Sequence, residues 1–416
     1  ASDVYKRQHP LRQKQQMTPA RKKIIITMTY MHIGGAERSL LGLLHAIDYT
    51  QYDVDLFLFS HEGEFMDMIP PQVNLLPEIS AYRTLVAPLN LRNGKHRFLY
   101  LMKKLGILLA AVRYKMMGRP VHEHGIMQYC QRLMLPWLPD ISNRHYDLGI
   151  SFLGFHDVIS DKVKADVKLG WYHTDYGSVR PFMRMDGKMW NRLDKIVLVS
   201  ESAMQSFLRS HPGLAAKACV IENILSPAFI RSQAQTSLPA PAGPEQGISL
   251  LTVGRLCEEK AYDRAMDACR ILLDSGYRIK WTVLGEGHLE SVLRERISKL
   301  NLQDHFILAG AAANPYPYFR HCDIYVQPSN VEGKSVSVRE AQILGKPVIV
   351  TRYPTATSQI EDGIDGIITD MSAEAVAQAA ARLIDHPELR RRLSGNCAAR
   401  DYGNEGEINH IYQMVP

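Results

Sequence analysis

The chain has 416 residues and a mass of 47.1 kDa, which is enough for two domains of medium size. Hydrophobic residues make up 46 % and charged residues 22 %, and this composition excludes a disordered, collagen-like or coiled-coil chain. The formal net charge is +6, but residues 1–23 hold seven basic side chains and one acid, so residues 24–416 are neutral in sum. The net charge therefore gives no support to a nucleic-acid partner.

The six cysteines are scattered along the chain with no C-x-x-C pair. This spacing excludes a zinc site of the usual kind and argues against a disulfide framework. The first residues lack the apolar run of a signal peptide. The longest uncharged apolar stretch, Leu105 to Val112, is far shorter than the roughly 20 residues that a membrane-spanning helix needs. The sequence therefore predicts a cytoplasmic protein.

An alternation of strand and helix patterns begins after residues 1–20, which lack periodicity and are expected to be a disordered or extraneous tail. A β-branched run at 23–28 predicts a buried parallel strand, and a glycine turn leads into a helix over 36–47. Further strands are predicted at 53–60, 147–152, 168–172, 195–199 and 219–221. Ser200 and Ser202 predict the start of a helix that runs to Leu208. These elements form a predicted N-terminal lobe over 21–225.

Residues 226–247 contain four prolines and little apolar pattern, which predicts a linker. The alternation then restarts over 248–395. Its strands are predicted at 248–253, 279–284, 305–308, 323–326, 347–350 and 366–368, and its helices at 262–275, 288–300, 315–321, 335–344, 357–361 and 373–386. We therefore expect an α/β protein of two doubly wound lobes, with a C-terminal helix over 396–416 that crosses back to the first lobe. Ligands of such a fold bind between the lobes, outside the carboxyl ends of the strands.

The segment 92–120 differs from the rest of the N-terminal half because it contains eight basic residues and no acid. Apolar residues recur beside the charges at helical spacing, at Phe98, Leu101, Leu105 and Leu108. A basic amphipathic helix of this kind suits an anionic membrane surface or an acidic acceptor. The alternative is a helix that packs on its own lobe and leaves a solvated basic face.

The first motif that carries chemistry is GGAER at 34–38, which follows a predicted strand and opens a helix. Gly34 and Gly35 would let backbone N–H groups approach an anion at the positive end of that helix. The motif is not a full G-x-G-x-x-G, and no P-loop lysine follows it. A tight turn with no ligand explains it equally well.

The second motif, GRLCEEK at 254–260, also follows a predicted strand. Arg255 and Lys260 can hold a diphosphate from two sides, the arginine through a bidentate fork and the lysine as a point charge. Alternatively, both cations pair with Glu258 and Glu259 in a solvated loop. For this segment alone, the solvated loop is the simpler explanation.

The third motif, EGKSVSVRE at 332–340, has two glutamates with seven residues between them. Glu332 lies in the loop after a predicted strand, and residues 333–335 precede a helix, so that backbone N–H groups can face a phosphate. Glu340 lies within that helix, where a carboxylate can accept hydrogen bonds from two ribose hydroxyls. Glutamate pairs at this spacing also arise by chance, but the succession of strand, loop and helix makes the motif more specific.

In this combination and order the motifs resemble those of the family-4 retaining glycosyltransferases, whose GT-B fold has two facing Rossmann-like lobes and an interlobe cleft. The resemblance covers nearly all of residues 23–415, and the bacterial surface-polysaccharide type fits best. It is carried by GGAERSL (34–40), VSES (199–202), VIEN (220–223), VGRLCEEK (253–260), LGEGHL (284–289), QPSNVEGKSVSVREAQILGKPVIVT (327–351) and IEDGIDG (360–366).

The resemblance implies roles for the residues of the second lobe. Arg255 and Lys260 would hold the donor diphosphate, Glu340 would bind the nucleotide ribose, and Glu332 would contact the hydroxyls of the donor sugar. The backbone of residues 333–336 would meet sugar and phosphate. The members of that last segment are Gly333, Lys334, Ser335 and Val336.

Further roles follow by the same resemblance. Gly35 would approach the diphosphate from the first lobe. Gly285 and Gly287 would line the base pocket, with residues 310–314 as a less specific part of it. His173, beyond a predicted strand end, would face the reacting sugar. The expected catalytic residues are therefore His173, Glu332, Arg255 and Lys260.

The implied reaction transfers a sugar from a nucleoside-diphosphate donor, with a UDP-sugar as the expected donor, to a glycan or lipid-linked acceptor. The attack would come from the face that the diphosphate leaves, so the anomeric configuration is retained. Arg255, Lys260 and the helix N-terminus at 333–336 would stabilise the leaving charge, with no metal and no other cofactor. We expect the protein at the inner face of the plasma membrane if segment 92–120 binds lipid.

Two residues depart from the family pattern. Lys334 adds a charge where an aromatic or aliphatic side chain is common, which leaves the donor sugar open. Ala261 replaces a common glycine. Two alternatives remain, a nucleotide-sugar epimerase or phosphorylase on the same scaffold and a non-catalytic subunit of a glycan-assembly complex. The presence of Arg255, Lys260 and both glutamates favours the transferase.

Overall fold

The computed structural model describes residues 21–88, 96–173, 176, 181–238 and 247–416. Two parallel β-sheets with interleaved helices form two lobes, which confirms the predicted α/β architecture. The expected tail at 1–20 lies outside the described residues.

The sheet of the first lobe has seven parallel strands. They are β1 (Lys22–Met28), β2 (Tyr52–Leu58), β3 (Asn74–Leu75), β4 (His145–Ser151), β5 (Lys164–Tyr172), β6 (Lys195–Leu198) and β7 (Ala218–Val220). Their order in the sheet is β3-β2-β1-β4-β5-β6-β7. The direction of winding reverses between β1 and β4, which is where a doubly wound sheet binds its ligand.

Seven helices accompany this sheet. They are α1 (Gly35–Ala46), α2 (Ser80–Val86), α3 (Arg97–Met116), α4 (Glu123–Met134), α5 (Asp157–Lys162), α6 (Met183–Asn191) and α7 (Glu201–Ser210). The hydroxyl of Ser200 accepts a hydrogen bond from the N–H of Ala203 and so caps α7, as predicted. The short or weakly patterned elements β3, α2, α4, α5 and α6 were not predicted.

The β-branched run of β1 explains the centre of the lobe. Residues from Ile24 to Met28 are buried, and Ile24 pairs with Val54 on one side and with Leu148 on the other. A strand that is covered on both faces needs apolar side chains in both directions, so its sequence is continuous rather than alternating.

The predicted linker contains a helix, α8 (Pro227–Gln233), which the sequence analysis did not predict. Ser226 caps it, and Phe229 and Ile230 are buried. The Phe229 ring stacks on His45 of α1 at 4.1 Å between centroids and meets Tyr316 of the second lobe edge-on at 6.3 Å. The start of the linker is therefore packed between the lobes. Residues 239–246 lie outside the described residues.

The second sheet has six parallel strands in the order β10-β9-β8-β11-β12-β13. They are β8 (Ile248–Val253), β9 (Ile279–Leu284), β10 (Phe306–Leu308), β11 (Ile324–Gln327), β12 (Val348–Thr351) and β13 (Gly366–Thr369). Every strand predicted for this lobe is present, with bounds that differ by at most one residue. The winding reverses between β8 and β11.

The helices of the second lobe and the C-terminus follow in order. They are α9 (Tyr262–Asp274), α10 (Glu290–Lys299), α11 (Tyr316–His321), α12 (Val336–Ile343), α13 (Ala373–Asp385), α14 (Pro387–Ala399) and α15 (Ile408–Tyr412). The helix predicted at 357–361 is wrong, because only a short 3₁₀ turn, Ala356–Ser358, forms near that position.

The C-terminal segment returns to the first lobe, but the prediction of one helix over 396–416 is wrong. Helix α14 begins at Pro387 and ends at Ala399, an extended segment follows, and α15 is only five residues long. The Tyr412 ring stacks on Tyr52 at 4.4 Å, and its hydroxyl accepts a hydrogen bond of 2.8 Å from the N–H of Asp48. Residues 401–404 form neither helix nor strand, and they pass close to the first lobe's end, where a Cβ atom on Gly403 would lie 2.6 Å from the Pro227 ring.

Candidate functional site

The site lies in the cleft between the lobes, at the carboxyl ends of both sheets. His173 directly follows β5, and Gly254 and Arg255 directly follow β8. Glu332 lies in the loop after β11. Because parallel strands end at one edge of a sheet, Arg255 and Glu332 come together in the second lobe. His173 of the first lobe lines the same cavity as both of them.

Two adjoining cavities occupy the cleft. The His173 cavity, of about 690 Å³, lies between His173 and Glu222 of the first lobe and Glu332 and Lys334 of the second. The Gly35 cavity, of about 810 Å³, lies between Gly35 of the first lobe and residues 284–286 and 311–313 of the second. Three residues line both cavities, and they are Arg255, Lys260 and Val336.

The two predicted cations therefore stand at the junction of the cavities, but they differ in their partners. Lys260 Nζ lies 2.6 Å from Glu332 Oε1 and forms a partly buried ion pair with it. Arg255 is exposed to the cleft and forms no salt bridge among the described residues. The alternative in which both cations pair with Glu258 and Glu259 is wrong for Lys260, since its partner is Glu332.

Glu332 is held rigidly by the residues around it. The Ser329 hydroxyl donates to Oε1 at 2.6 Å, and the Gln327 amide donates to the same oxygen at 2.8 Å. With the bond from Lys260, three donors therefore converge on one carboxylate oxygen. Donors that hold a carboxylate in one orientation preorganise it for a ligand, so Glu332 can present its second oxygen to the His173 cavity.

Ala261, which stands where the family commonly has glycine, takes a left-handed backbone conformation with φ 49°. A residue with a Cβ atom is strained there by about 1 kcal/mol relative to glycine. The backbone conformation therefore favours glycine at this position, and this chain tolerates the strain directly beside Lys260.

The loop that follows Glu332 meets the first lobe. Lys334 forms an ion pair with Glu222, which lies in the VIEN segment after β7. Gly333 has open space where a Cβ atom would stand, so nothing in the empty cleft requires a glycine there. Ser335 lines the His173 cavity, but its N–H donates to Gln359 Oε1 at 2.8 Å. That N–H therefore already has a partner inside the protein, and the contact expected between residues 333–336 and a ligand stays a prediction.

Glu340 of α12 is fully buried and lines neither cavity. Arg38 of α1 covers it, with Nη1 at 3.3 Å from both carboxylate oxygens. The Tyr316 hydroxyl donates to Oε1 at 3.0 Å. Burial and the neighbouring carboxylate raise the pKa of Tyr316 well above its usual range. The expected ribose ligand is thus screened from the cavity by an arginine that the sequence analysis did not assign.

Gly35 opens α1 and lines the Gly35 cavity. A Cβ atom on Gly35 would meet nothing within 4 Å, so packing within the protein does not require a glycine at this position. At Gly34 the same atom would lie 2.1 Å from the carboxylate of Glu37, which folds back over the helix start. Burial raises the pKa of Glu37, partly offset by a hydrogen bond from its own N–H.

The two glycines expected in the base pocket have different surroundings. Gly285 lines the Gly35 cavity and needs to be glycine, because its φ is 151° and a Cβ atom would lie 1.9 Å from the Gly254 carbonyl oxygen. Gly287 lines neither cavity, and its Cβ atom would lie 2.4 Å from the Leu256 carbonyl oxygen. Close backbone packing therefore requires a glycine at 287, and the role expected for it in the base pocket stays a prediction. Of residues 310–314, the three alanines at 311–313 line the cavity.

His173 lies at the wall of its cavity, against the rings of Phe152 and Trp171. Burial lowers the pKa of His173 to about 3, and the backbone of Phe152 and the side chain of Asn223 offset this effect only in part. Neither ring nitrogen has a hydrogen-bond partner of good geometry in the described part of the chain. His173 is therefore a neutral imidazole at the wall of the cavity.

The C-terminal crossing segment also forms part of the site, which the sequence analysis missed. Residues 401–404 line the His173 cavity. Asn404 ties this segment to the first lobe, because its Oδ1 accepts from the N–H of Leu225 at 2.8 Å and its amide donates to the Asn223 carbonyl at 3.0 Å. Arg339 of α12 lies over the Tyr402 ring at 5.3 Å. No short motif marks these positions.

The cleft holds cations, carboxylates and a neutral histidine. Within the described ranges, no group of three or more His, Cys, Asp or Glu side chains is arranged to hold a metal ion. The six cysteines are free.

The match to a known protein family covers the second lobe. The family described as glycosyl transferases group 1 matches residues 235–400. The amylovoran biosynthesis glycosyltransferase AmsK of Erwinia amylovora is 31 % identical over 147 residues, which cover 33 % of this chain and 36 % of that protein. The GDP-mannose-dependent alpha-(1-6)-phosphatidylinositol dimannoside mannosyltransferase of Mycobacterium tuberculosis is 30 % identical over 165 residues, covering 38 % and 40 %. This chain therefore matches such relatives over little more than a third of their length.

Solved structures extend the similarity to both lobes. HepE of Anabaena, in complex with UDP-glucose, superposes with a TM-score of 0.61 at 15 % identity, over 94 % of this chain and 98 % of that one. A TarM variant of S. aureus, solved with UDP among its ligands, gives 0.64 at 12 % identity, over 95 % and 99 %. At these identities the likeness concerns the fold, and it confirms the two facing lobes of GT-B.

The lowered pKa of His173 predicts a pH dependence of stability. Between about pH 6.5 and 3 the unfolded chain takes up a proton at this residue while the folded protein does not, so the free energy of unfolding falls as the pH falls. At pH 5 the free energy of unfolding is lower by about 2 kcal/mol, because each pH unit below 6.5 lowers it by about 1.36 kcal/mol. We expect His173→Gln to lose about that part of the acid sensitivity. Urea unfolding at several pH values between 6.5 and 4 measures it, and equal slopes in both proteins would contradict the assignment.

Proposed function

We propose that the protein is a retaining glycosyltransferase, because residues 235–400 match the glycosyl transferases group 1 family and the chain has the two facing lobes of the GT-B fold. It transfers a sugar from a nucleoside-diphosphate donor to a glycan or lipid-linked acceptor in the synthesis of a cell-surface polysaccharide. The observation that carries the proposal is the position of Arg255 and Lys260 at the junction of the two cavities. A nucleotide-sugar matches this arrangement of two cavities and a cationic junction, because its diphosphate lies between a nucleoside and a sugar.

The donor lies with its nucleoside in the Gly35 cavity and its sugar in the His173 cavity. The diphosphate then meets Arg255 and Lys260, and the sugar meets the carboxylate of Glu332, which lines the His173 cavity. Carboxylate oxygens accept hydrogen bonds from sugar hydroxyls, whereas the cations match the phosphate charge. The donor base is proposed to be uracil, since structures of this fold with UDP-glucose and UDP are known.

Catalysis consists of stabilising the leaving diphosphate while an acceptor hydroxyl is held at the anomeric carbon. Arg255 and Lys260 take up the charge that develops as the glycosidic bond to phosphate breaks, and no metal is required for this. The acceptor attacks from the face that the diphosphate leaves, and a phosphate oxygen takes the hydroxyl proton. The configuration at the anomeric carbon is therefore retained. His173 is neutral and acts as a hydrogen-bonding group at the sugar rather than as a cation.

The protein is proposed to act at an anionic membrane surface through helix α3. Its exposed side carries seven large apolar side chains on one face, namely Phe98, Leu101, Leu105, Leu108, Leu109, Val112 and Met116. The opposite side packs on α4, where Gly106 is in close contact with Cys130. Within the described ranges, no helix is long and apolar enough to cross a membrane.

The basic residues of the segment do not all serve this surface. Lys103 points inward, and its Nζ donates to the carbonyl oxygens of Thr84, Leu85 and Ala87 at the end of α2. Arg92 and Lys95 lie outside the described residues. The exposed cations that flank the apolar face are Arg97, Lys104, Arg113, Lys115 and Arg119. Apolar side chains flanked by basic ones are the pattern of a helix that lies in the plane of an anionic bilayer.

The donor assignment predicts that Arg255→Ala combined with Lys260→Ala abolishes sugar transfer. Each cation contributes a charge-assisted hydrogen bond of about 1.5–3 kcal/mol, so the pair accounts for at least a hundredfold in turnover. A screen of uridine, guanosine and adenosine diphosphate sugars for transfer or hydrolysis identifies the donor first. Arg294→Ala, an exposed arginine on α10, is the control. Near-wild-type turnover in the double variant would refute the assignment.

Gly35 gives a second test of the donor position, because a side chain there would clash with a bound nucleoside diphosphate but not with the protein. Gly35→Ala is expected to leave the melting temperature unchanged within about 2 °C, since a Cβ atom meets nothing within 4 Å. It should weaken binding of the nucleoside diphosphate at least tenfold by blocking its approach. Gly395→Ala on α14, where a Cβ atom also meets nothing, is the matched control. Calorimetric titration of both variants decides, and equal affinities would contradict the proposed donor position.

The membrane proposal predicts that Lys104→Glu with Lys115→Glu releases the protein from anionic vesicles. Each basic residue near an anionic surface contributes about 1 kcal/mol, so reversal of two charges reduces binding by more than tenfold. Sedimentation with vesicles of phosphatidylglycerol and phosphatidylcholine measures this. Arg391→Glu with Arg392→Glu on α14 makes the same change of charge on the second lobe and should bind as wild type does. Unchanged binding of the α3 variant would rule the surface out.

A further inference from the structure

Arg38 is the one cation of the Gly35 cavity that belongs to the first lobe. It lines that cavity together with Arg255 and Lys260, and the cavity's acidic residues are Glu64 and Glu286. Glu64 is engaged with His32 and the N–H of Ile33, and Glu286 accepts from the N–H of Ala311. Three cations thus surround a space whose carboxylates already have partners.

The contact between Arg38 and Glu340 leaves part of the guanidinium unused. Both hydrogen bonds to Glu340 come from Nη1, whereas an arginine has five N–H donors. Nε is buried and has no partner in the described part of the chain. Burial disfavours the charged form, but Glu340 outweighs it and raises the pKa of Arg38, so the guanidinium stays charged.

We propose that Arg38 binds the phosphate of the donor nucleotide from the first lobe, with Glu340 as the residue that holds its guanidinium in place. This inference rests on the proposed function. Arg38 lines the cavity and can contact a ligand there, whereas Glu340 is fully buried behind the arginine. A side chain on α1 that grips the phosphate also links the first lobe to a donor held mainly by the second.

A purely structural role for the pair is the competing explanation. A buried carboxylate needs a counter-charge, and an ion pair across the lobes would meet that need with no ligand involved. The two explanations differ in their dependence on salt. A phosphate contact contributes to the electrostatic part of ligand binding, so its loss makes binding less sensitive to ionic strength, whereas a structural defect leaves that sensitivity unchanged.

The test measures binding of uridine diphosphate, or of the diphosphate that the donor screen selects, by calorimetry at 50 and 300 mM NaCl. Arg38→Gln is expected to weaken binding at least tenfold at low salt and to reduce the loss of affinity between the two salt concentrations. Arg294→Gln on α10 serves as the control and should match wild type. Binding of Arg38→Gln within twofold of wild type, or weaker binding with the wild-type salt dependence, would overturn the proposal.

Arg38→Lys keeps a cation beside Glu340 but loses the planar fork, so its affinity should fall between those of wild type and Arg38→Gln. If the glutamine variant does not fold, the lysine variant carries the test, and wild-type affinity in it would overturn the proposal. Absence of nucleotide binding by the wild-type protein would instead refute the proposed function. The two failures are therefore distinguishable.

Discussion

The Glu340 carboxylate lies wholly inside the protein, and a buried charge is stable only beside a counter-charge and hydrogen-bond donors. Its counter-charge, Arg38, comes from the other lobe, 302 residues away in sequence. Tyr316 of α11 supplies a further hydrogen-bond donor. The burial of α12, the placement of α1 and the closeness of the two lobes are therefore linked by one electrostatic requirement. Separation of the lobes would leave an uncompensated charge in a low-dielectric interior.

The segment 332–340 is held in the same way along its length. At its start, Glu332 is bound by Lys260, Gln327 and Ser329, and Lys334 pairs with Glu222 of the first lobe. In its middle, the backbone of Ser335 is bound by Gln359. A loop whose polar groups are satisfied by fixed neighbours loses little entropy when a ligand binds. Gly333 lies in this segment and Gly35 lies across the cleft from it. A Cβ atom at either position would meet nothing within 4 Å, so both positions leave space beside the segment.

Much of this could be read from the sequence, since the informative signals are local. The buried strands have continuous β-branched runs, and residues just past their ends must meet at one edge of each sheet. His173, Arg255 and Glu332 could be placed beyond strand ends on that ground, whereas the roles expected for them came from the resemblance to a family. Contacts between distant segments leave no such pattern. The partners Arg38 and Glu222 could not be found, because each faces a residue more than a hundred positions away. The role of Gly287 could not be decided from sequence, because close backbone packing and ligand approach both require glycine.

The charge balance at the cavity junction also suggests the order in which a donor meets its ligands. Lys260 pairs with Glu332 at 2.6 Å, whereas Arg255 forms no salt bridge among the described residues. On the proposed function, a diphosphate that approaches the junction is attracted first by Arg255, which is exposed and interacts with the neighbouring Glu259 without forming a salt bridge in the described part of the chain. Lys260 can then be shared between phosphate and Glu332, because an ammonium group has three donors. The carboxylate that holds the lysine is also the one that faces the sugar cavity. On the proposed function, phosphate and sugar recognition are coupled through this one ion pair, because a diphosphate that shares Lys260 reduces the positive charge beside Glu332 at the sugar cavity.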